Sequence, residues 1–239
     1  MSRWRLCGHD GTGGRALALD GGRIMDEARA DSADAALAAL DAPGPVLRVG
    51  EGVAAALPAA LLPDPIGNGL PGLVQETPPD CLDAWVRLLL IGLGDHDGIA
   101  CVTLPGLAHW IHLSAGEAVS CQSFLTPRIA AALGAAAEAD PTAIADTMSR
   151  PERLAAHLRA AEVQGAPAAL TGHLLGAELA AARPYWLGQH VALIGDDKLC
   201  KAYSDALGAQ GLPVERTDAE RMTLEGLKTA YARLKESAQ

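Results

Sequence analysis

The chain has 239 residues, 49% of them apolar, and a formal charge of −10 from 19 Lys+Arg against 29 Asp+Glu. That is enough apolar material for one large domain or two smaller lobes, while the acidity repels phosphate backbones and anionic lipid and argues against nucleic acid or a membrane surface as partner. With one Phe, three Tyr and four Trp, the core must be built from small aliphatic side chains.

In chain order, Trp4–Cys7, Arg15–Leu19 and Arg23–Asp26 read as strands joined by the turns Gly11-Thr12-Gly13-Gly14 and Asp20-Gly21-Gly22, since glycine enters positive φ without steric cost. A helix is predicted at Ala35–Leu40 after Asp31-Ser32-Ala33-Asp34, and a strand at Val46–Val49 after a Pro/Gly stretch. Residues 58–79, dense in Pro and Gly, read as a loop rather than a packed element. A helix is expected over Leu82–Leu93, then strands at Ile99–Leu104, His109–Leu113 and Ala118–Phe124, the last two joined by a tight turn at Ser114-Ala115-Gly116-Glu117. Alanine-rich helices follow at Arg128–Ala139 and Pro151–Val163, with Pro151 suited to a first turn.

The C-terminal third has the clearest periodicity. Leu170, Leu174, Leu175, Leu179 and Ala182 form one apolar stripe on a helix over Leu170–Arg183, with Glu178 at or near its edge. A strand at His190–Ile194, a helix at Lys198–Gln210, a strand at Pro213–Arg216 and a final helix at Leu224–Lys235 imply a right-handed crossover and a partly parallel sheet. Meanders followed by helices, once near the start and again after Ile99, predict an α/β protein of two related lobes, residues 1–98 and 99–239. The five cysteines, Cys7, Cys81, Cys101, Cys121 and Cys200, contain no C-x-x-C pair and read as reduced, mostly buried thiols. The start has no charged segment followed by an apolar run, and runs such as Val86–Leu93 are too short to span a bilayer, so the expected compartment is the cytoplasm.

Three groups of residues carry a family likeness. The first is Leu174-Leu175-Gly176-Ala177-Glu178-Leu179-Ala180-Ala181-Ala182-Arg183-Pro184-Tyr185-Trp186, followed by Val191–Gly195 and Leu199-Cys200-Lys201-Ala202-Tyr203. The second is Leu104-Pro105-Gly106, His109-Trp110-Ile111-His112, Ser114–Glu117 and Phe124-Leu125-Thr126, and the third is Gly11-Thr12 with Arg15-Ala16. Together these resemble the 2-keto-3-deoxygalactonokinases, sugar-acid kinases of the actin-like, sugar-kinase (ribonuclease H-like) fold with mixed sheets and flanking helices. The resemblance implies ATP-dependent phosphorylation of a 2-keto-3-deoxy sugar acid, with ATP and Mg2+ as cofactors and a small-molecule sugar acid as partner. Phosphoryl transfer needs backbone N–H groups and a carboxylate-held magnesium around the transferred group, and a second carboxylate to receive the hydroxyl proton.

On this resemblance the nucleotide-binding candidates are Gly11, Thr12, Gly106 and Gly195, the catalytic candidates Asp10 and Asp83, and the metal ligand Asp10. Each motif is altered. Aligned on Gly11-Thr12, the family's aspartate becomes His9 and the carboxylate shifts one place to Asp10, which turns a strand side chain to the other face. The turn Pro105-Gly106-Leu107-Ala108 lacks the family's Thr and Lys; Thr126-Pro127-Arg128 replaces T-G-E; the acidic pair expected after Pro78-Pro79-Asp80 is gone; and the region between Gly52 and Leu70 is shorter.

Simpler readings stand beside these. Asp10 suits a turn that caps its own backbone, Asp83 is an ordinary acid in a helix's first turn, and Asp95-His96-Asp97 is a solvated turn. His109 and His112 fall on opposite faces of a strand. Gly195-Asp196-Asp197 is either a nucleotide-edge loop or a strand-to-helix connection with an Asp cap. The alternative for the whole chain is a noncatalytic relative that keeps the fold as a nucleotide-binding or regulatory module.

Overall fold

A computed structural model describes residues 3–67, 69–195 and 197–237. The chain opens with β1 (Arg3–His9), β2 (Gly14–Asp20), β3 (Arg23–Ala30) and α1 (Ala33–Ala39). It continues through β4 (Val46–Val49), β5 (Ala55–Ala56), β6 (Ala59–Ala60), β7 (Gly69–Leu70), β8 (Leu73–Gln75), β9 (Asp80–Leu82) and α2 (Ala84–Gly92). A second meander, β10 (Gly98–Leu104), β11 (Leu107–Ser114) and β12 (Glu117–Phe124), leads into α3 (Thr126–Ala132), α4 (Pro141–Ser149), α5 (Leu154–Val163), α6 (Pro167–Ala181) and α7 (Arg183–Trp186). The chain ends with β13 (Val191–Gly195), α8 (Asp197–Ala209), β14 (Val214–Asp218) and α9 (Ala219–Ser237).

These elements group into two compact units. One comprises Met1–His96, Ser114–Ser120 and Ala219–Gln239, the other Asp97–Leu113 and Cys121–Asp218. The first contains a sheet ordered β3-β2-β1-β4-β7, in which β1 pairs antiparallel with β2 and parallel with β4. In the second, β11-β10-β13-β14 are neighbours, with β10 antiparallel to β11 and parallel to β13. Both are therefore an antiparallel meander extended by parallel strands.

In the first unit α1 covers the meander, its N-terminus capped by Ser32, whose Oγ accepts from Ala35 N at 3.2 Å. Helix α2 is buried over nearly its whole length and packs on α9. The two helices approach at glycines: a Cβ on Gly226 would overlap Leu88 O, and one on Gly92 would overlap Met222 O. Beneath them Arg15 is buried, held by Glu27 at 3.0 Å and Glu220 at 2.7 Å. Residues 58–79 depart from the expected loop. They contain β6, β7 and β8, bury Leu61, Ile66, Leu70 and Leu73, and are tied down by Arg87, whose buried guanidinium donates to Leu61 O (2.8 Å), Pro71 O (2.9 Å) and Ala60 O (2.8 Å). Proline and glycine signalled turns correctly but did not reveal this anchor.

The second unit has a core of Trp110, Leu179, Trp186, Leu193, Tyr203 and Leu207. Its sequence-level expectations need three revisions. Helix α3 ends at Ala132 rather than Ala139, and α4, which was not predicted, follows. Asp140 caps α4, accepting from Thr142 N at 2.8 Å, with Pro141 in the first turn, so a standard start signal was present. Glu178 does not border the α6 stripe but is 2% exposed, because α6 is covered on several sides and has no solvent face at that position. Among the described residues no helix is long and apolar enough to cross a membrane, and all five cysteines are free, with Cys81 exposed and the others buried.

Candidate functional site

The first unit contributes the loop between β1 and β2. Asp10 Oδ1 accepts from Thr12 N (2.9 Å), Thr12 Oγ1 (2.6 Å) and Gly13 N (3.3 Å), and Oδ2 accepts from Arg29 at 2.7 Å. Burial pushes this carboxyl up, but the hydrogen bonds from Thr12 and Arg29 outweigh it and hold it below the usual carboxylate range. Gly11 has a φ of 90°, and its N–H donates to His9 Nδ1 at 3.2 Å. Thr12 is exposed. Asp83 stands at the head of α2, exposed, and makes no side-chain capping bond.

The second unit contributes one edge of its sheet. Thr103, Gly195 and Asp218 lie in register on the parallel strands β10, β13 and β14, so the carboxyl ends of all three strands share that edge. Ligands of open α/β sheets bind outside this edge. Gly195 is required there by close packing, since a Cβ would overlap the Thr103 side chain. Asp196 lies outside the described residues, and α8 begins at Asp197, its N-terminus following directly from the strand end. Gly106, with a φ of 99°, completes the turn between β10 and β11 at the same edge, and the Arg128 guanidinium comes within 3.6 Å of where its Cβ would stand.

A cavity of about 300 Å³ lies between α8 and the start of α4, floored by Ala139, Pro141, Ile144, Ala202 and Ala206, with Glu138, Lys198, Lys201 and Asp205 around it. Small side chains along α8 and the short apolar face of α4 leave this space open. Gly172 and Gly176 set the α4 wall: a Cβ on either would come within 2.5 Å of a backbone carbonyl of Asp140 or Ile144, so α4 can lie directly on α6. Gly176 is thus a packing glycine inside the motif that carries the family likeness.

Glu178 ties the elements around this edge together. Its Oε1 accepts from Trp110 Nε1 on β11 and Tyr203 OH on α8, both at 2.8 Å, while Oε2 has no hydrogen-bond partner among the described residues. Burial raises its carboxyl, and hydrogen bonds from Thr126, Trp110 and Tyr203 offset this only in part. Of the residues the sequence singled out, the structure places Gly106 and Gly195 at one edge of the second unit, and Asp10, Gly11, Thr12 and Asp83 in the first; the sequence reading gave no such placement. It missed α4, Arg128 and the Glu178 network. Asp140-Pro141 could have found α4, and the carboxylate inside an apolar stripe was the available hint for Glu178.

The fold has counterparts among solved structures. Of the solved structures it resembles, a Sinorhizobium meliloti protein assigned as a candidate 2-dehydro-3-deoxygalactonokinase superposes with a TM-score of 0.78 at 22% identity, over 96% of this chain and 98% of that one. The Clostridium difficile activator of 2-hydroxyisocaproyl-CoA dehydratase, bound to ADPNP, matches with a TM-score of 0.57 at 10% identity, covering 99% and 97%. Component A of the Acidaminococcus fermentans (R)-2-hydroxyglutaryl-CoA dehydratase matches at 0.53 and 10%, covering both chains fully. These likenesses show a shared fold, an α/β arrangement with mixed sheets. No curated protein matches the chain in sequence. Residues 130–230 match the family model of 2-keto-3-deoxy-galactonokinase, a stretch that includes the motifs from Leu174 to Tyr203.

Proposed function

We propose that the protein binds ATP through its second unit and transfers the γ-phosphoryl group to a 2-keto-3-deoxy sugar acid. The observation that carries this reading is the coincidence, at one sheet edge, of the Gly106 turn, the Gly195 strand end and the start of α8, next to a cavity whose volume suits a nucleoside. The apolar floor of that cavity would take the base, and Lys198, near the start of α8, would face anionic groups held at the helix N-terminus. When bound, ATP supplies the phosphoryl group and its leaving group.

Magnesium does not fit the first unit as arranged, because both oxygens of Asp10 are engaged and Arg29 already supplies the opposing charge. Asp10 would hold a metal only after releasing Arg29. Asp83, exposed and free of capping, keeps its carboxylate available as the base that receives the sugar hydroxyl proton. The Asp10–Arg29 pair favours a second reading, in which the protein binds nucleotide without turnover.

An ADP-release assay with 2-keto-3-deoxygalactonate, run beside thermal shift with Mg-ATP, separates these. Turnover establishes the kinase. A shift without turnover establishes the nucleotide-binding module, and neither response removes both.

A further inference from the structure

We infer that Arg128 is the residue through which this protein recognises phosphate charge, the inference resting on the nucleotide reading above. The hairpin turn Leu104-Pro105-Gly106-Leu107-Ala108 carries no charged side chain, and Pro105 lacks an N–H, so the turn alone is a poor anion site. Arg128 makes up the deficit. Its Nε and Nη2 both lie 3.6 Å from the position a Cβ on Gly106 would occupy, which sets the guanidinium edge beside the turn residue. At that distance even a Cβ would make only ordinary contact with the guanidinium, and glycine is set by the turn, where φ is 99°.

Arg128 is exposed, and among the described residues no hydrogen bond or ion pair engages it, in a protein with ten more acidic than basic residues. Arg15, Arg48 and Arg87, by contrast, are spent on structure: Arg15 on Glu27 and Glu220, Arg48 on Asp34, Arg87 on three carbonyls. A planar guanidinium with its donors unspent is suited to bidentate capture of a phosphate.

Its placement is also fixed from behind. Two residues earlier, Thr126 opens α3 and hydrogen-bonds the buried Glu178, which is held in turn by Trp110 on β11 and Tyr203 on α8. The strand leaving the turn, the helix beginning after Gly195 and the helix bearing Arg128 are thereby tied to one buried carboxyl. The ligand class is a polyphosphate, here the β- and γ-phosphates of a nucleoside triphosphate.

The test is calorimetric titration of the full chain and of Arg128→Ala and Arg128→Lys with ATP, adenosine and sodium tripolyphosphate at low ionic strength. Removing the guanidinium is expected to weaken ATP and tripolyphosphate by about tenfold or more and to leave adenosine unchanged. Arg128→Lys recovers part of the loss, because charge returns without the planar fork. ATP affinity in Arg128→Ala equal to that of the parent protein overturns the assignment. If the parent binds tripolyphosphate but neither ATP nor adenosine, and Arg128→Ala abolishes that binding, the phosphate site stands and the nucleotide reading falls. No binding of any of the three removes both.

Discussion

At the scale of single residues, the buried ionisable groups are the most informative. Glu178 has its carboxyl raised by burial, so folding favours the neutral form. The unfolded chain gives up this proton in the ordinary carboxylate range. Its contribution to stability is therefore complete below that range and is lost as pH rises through the raised value. Glu178→Gln keeps an acceptor for Trp110 and Tyr203 and cannot ionise, so its melting temperature should gain on that of the parent protein as pH rises from the ordinary carboxylate range toward neutrality. A constant difference across that range would show that Glu178 does not titrate there. Glu178→Ala should cost about 2–4 kcal/mol at acid pH, where the carboxyl is neutral, because two buried donors lose their acceptor.

Asp10 behaves in the opposite sense. Its carboxyl is held low by Thr12 and Arg29, so the stability it provides is present above the ordinary carboxylate range and is lost as pH falls. Arg29→Ala should diminish that acid dependence and, if Asp10 is the metal ligand, sharpen the response of the melting temperature to Mg2+. An unchanged Mg2+ response in Arg29→Ala would count against Asp10 as ligand. Arg87 is a third case: burial alone lowers it, to about 10, so it stays charged at neutral pH while serving three carbonyls. Arg87→Met leaves those carbonyls without a donor, with an expected loss of about 3 kcal/mol or more, read by urea denaturation.

At the scale of elements, turns and helix crossings decide the geometry. Ala115 and Gly116 join β11 to β12 with φ of 51° and 77°, the two positive angles of a turn that prefers Asn-Gly. Ala115→Asn should stabilise the protein by about 0.5–1 kcal/mol, measured as a rise in melting temperature. The turn itself was legible from Ser-Ala-Gly-Glu between apolar strands. Helix contacts were not legible. Gly226 and Gly92 permit α9 to cross α2, and Gly226→Ala should cost about 1–3 kcal/mol by overpacking. A glycine within a helical pattern indicates only that something comes close, not what does. The same holds for Gly176, whose partner α4 escaped the periodicity reading because it is short.

At the scale of the whole molecule, each unit repeats one order of strands, and the chain passes between units more than once: residues 114–120 and α9 group with the N-terminal elements. Gly106 and Gly195 fall in the second unit, Asp10 and Asp83 in the first. If Gly176 and Gly172 set the wall of the cavity beside α8, then Gly176→Ala should weaken adenosine binding while leaving tripolyphosphate binding intact. Equal loss of both would place the effect in global stability instead.

By itself the sequence determined the alternation of meander and helix, the turns where glycine must take positive φ, and the family likeness from Leu174 to Tyr203. Each of these is written in residues close along the chain. Only the tertiary structure decided that Arg29 takes up the charge of Asp10, that Glu178 is buried beneath β11 and α8, and that Arg128 lies beside Gly106. Those pairings join residues from separate elements, and their energies depend on burial and distance, which spacing along the chain does not encode.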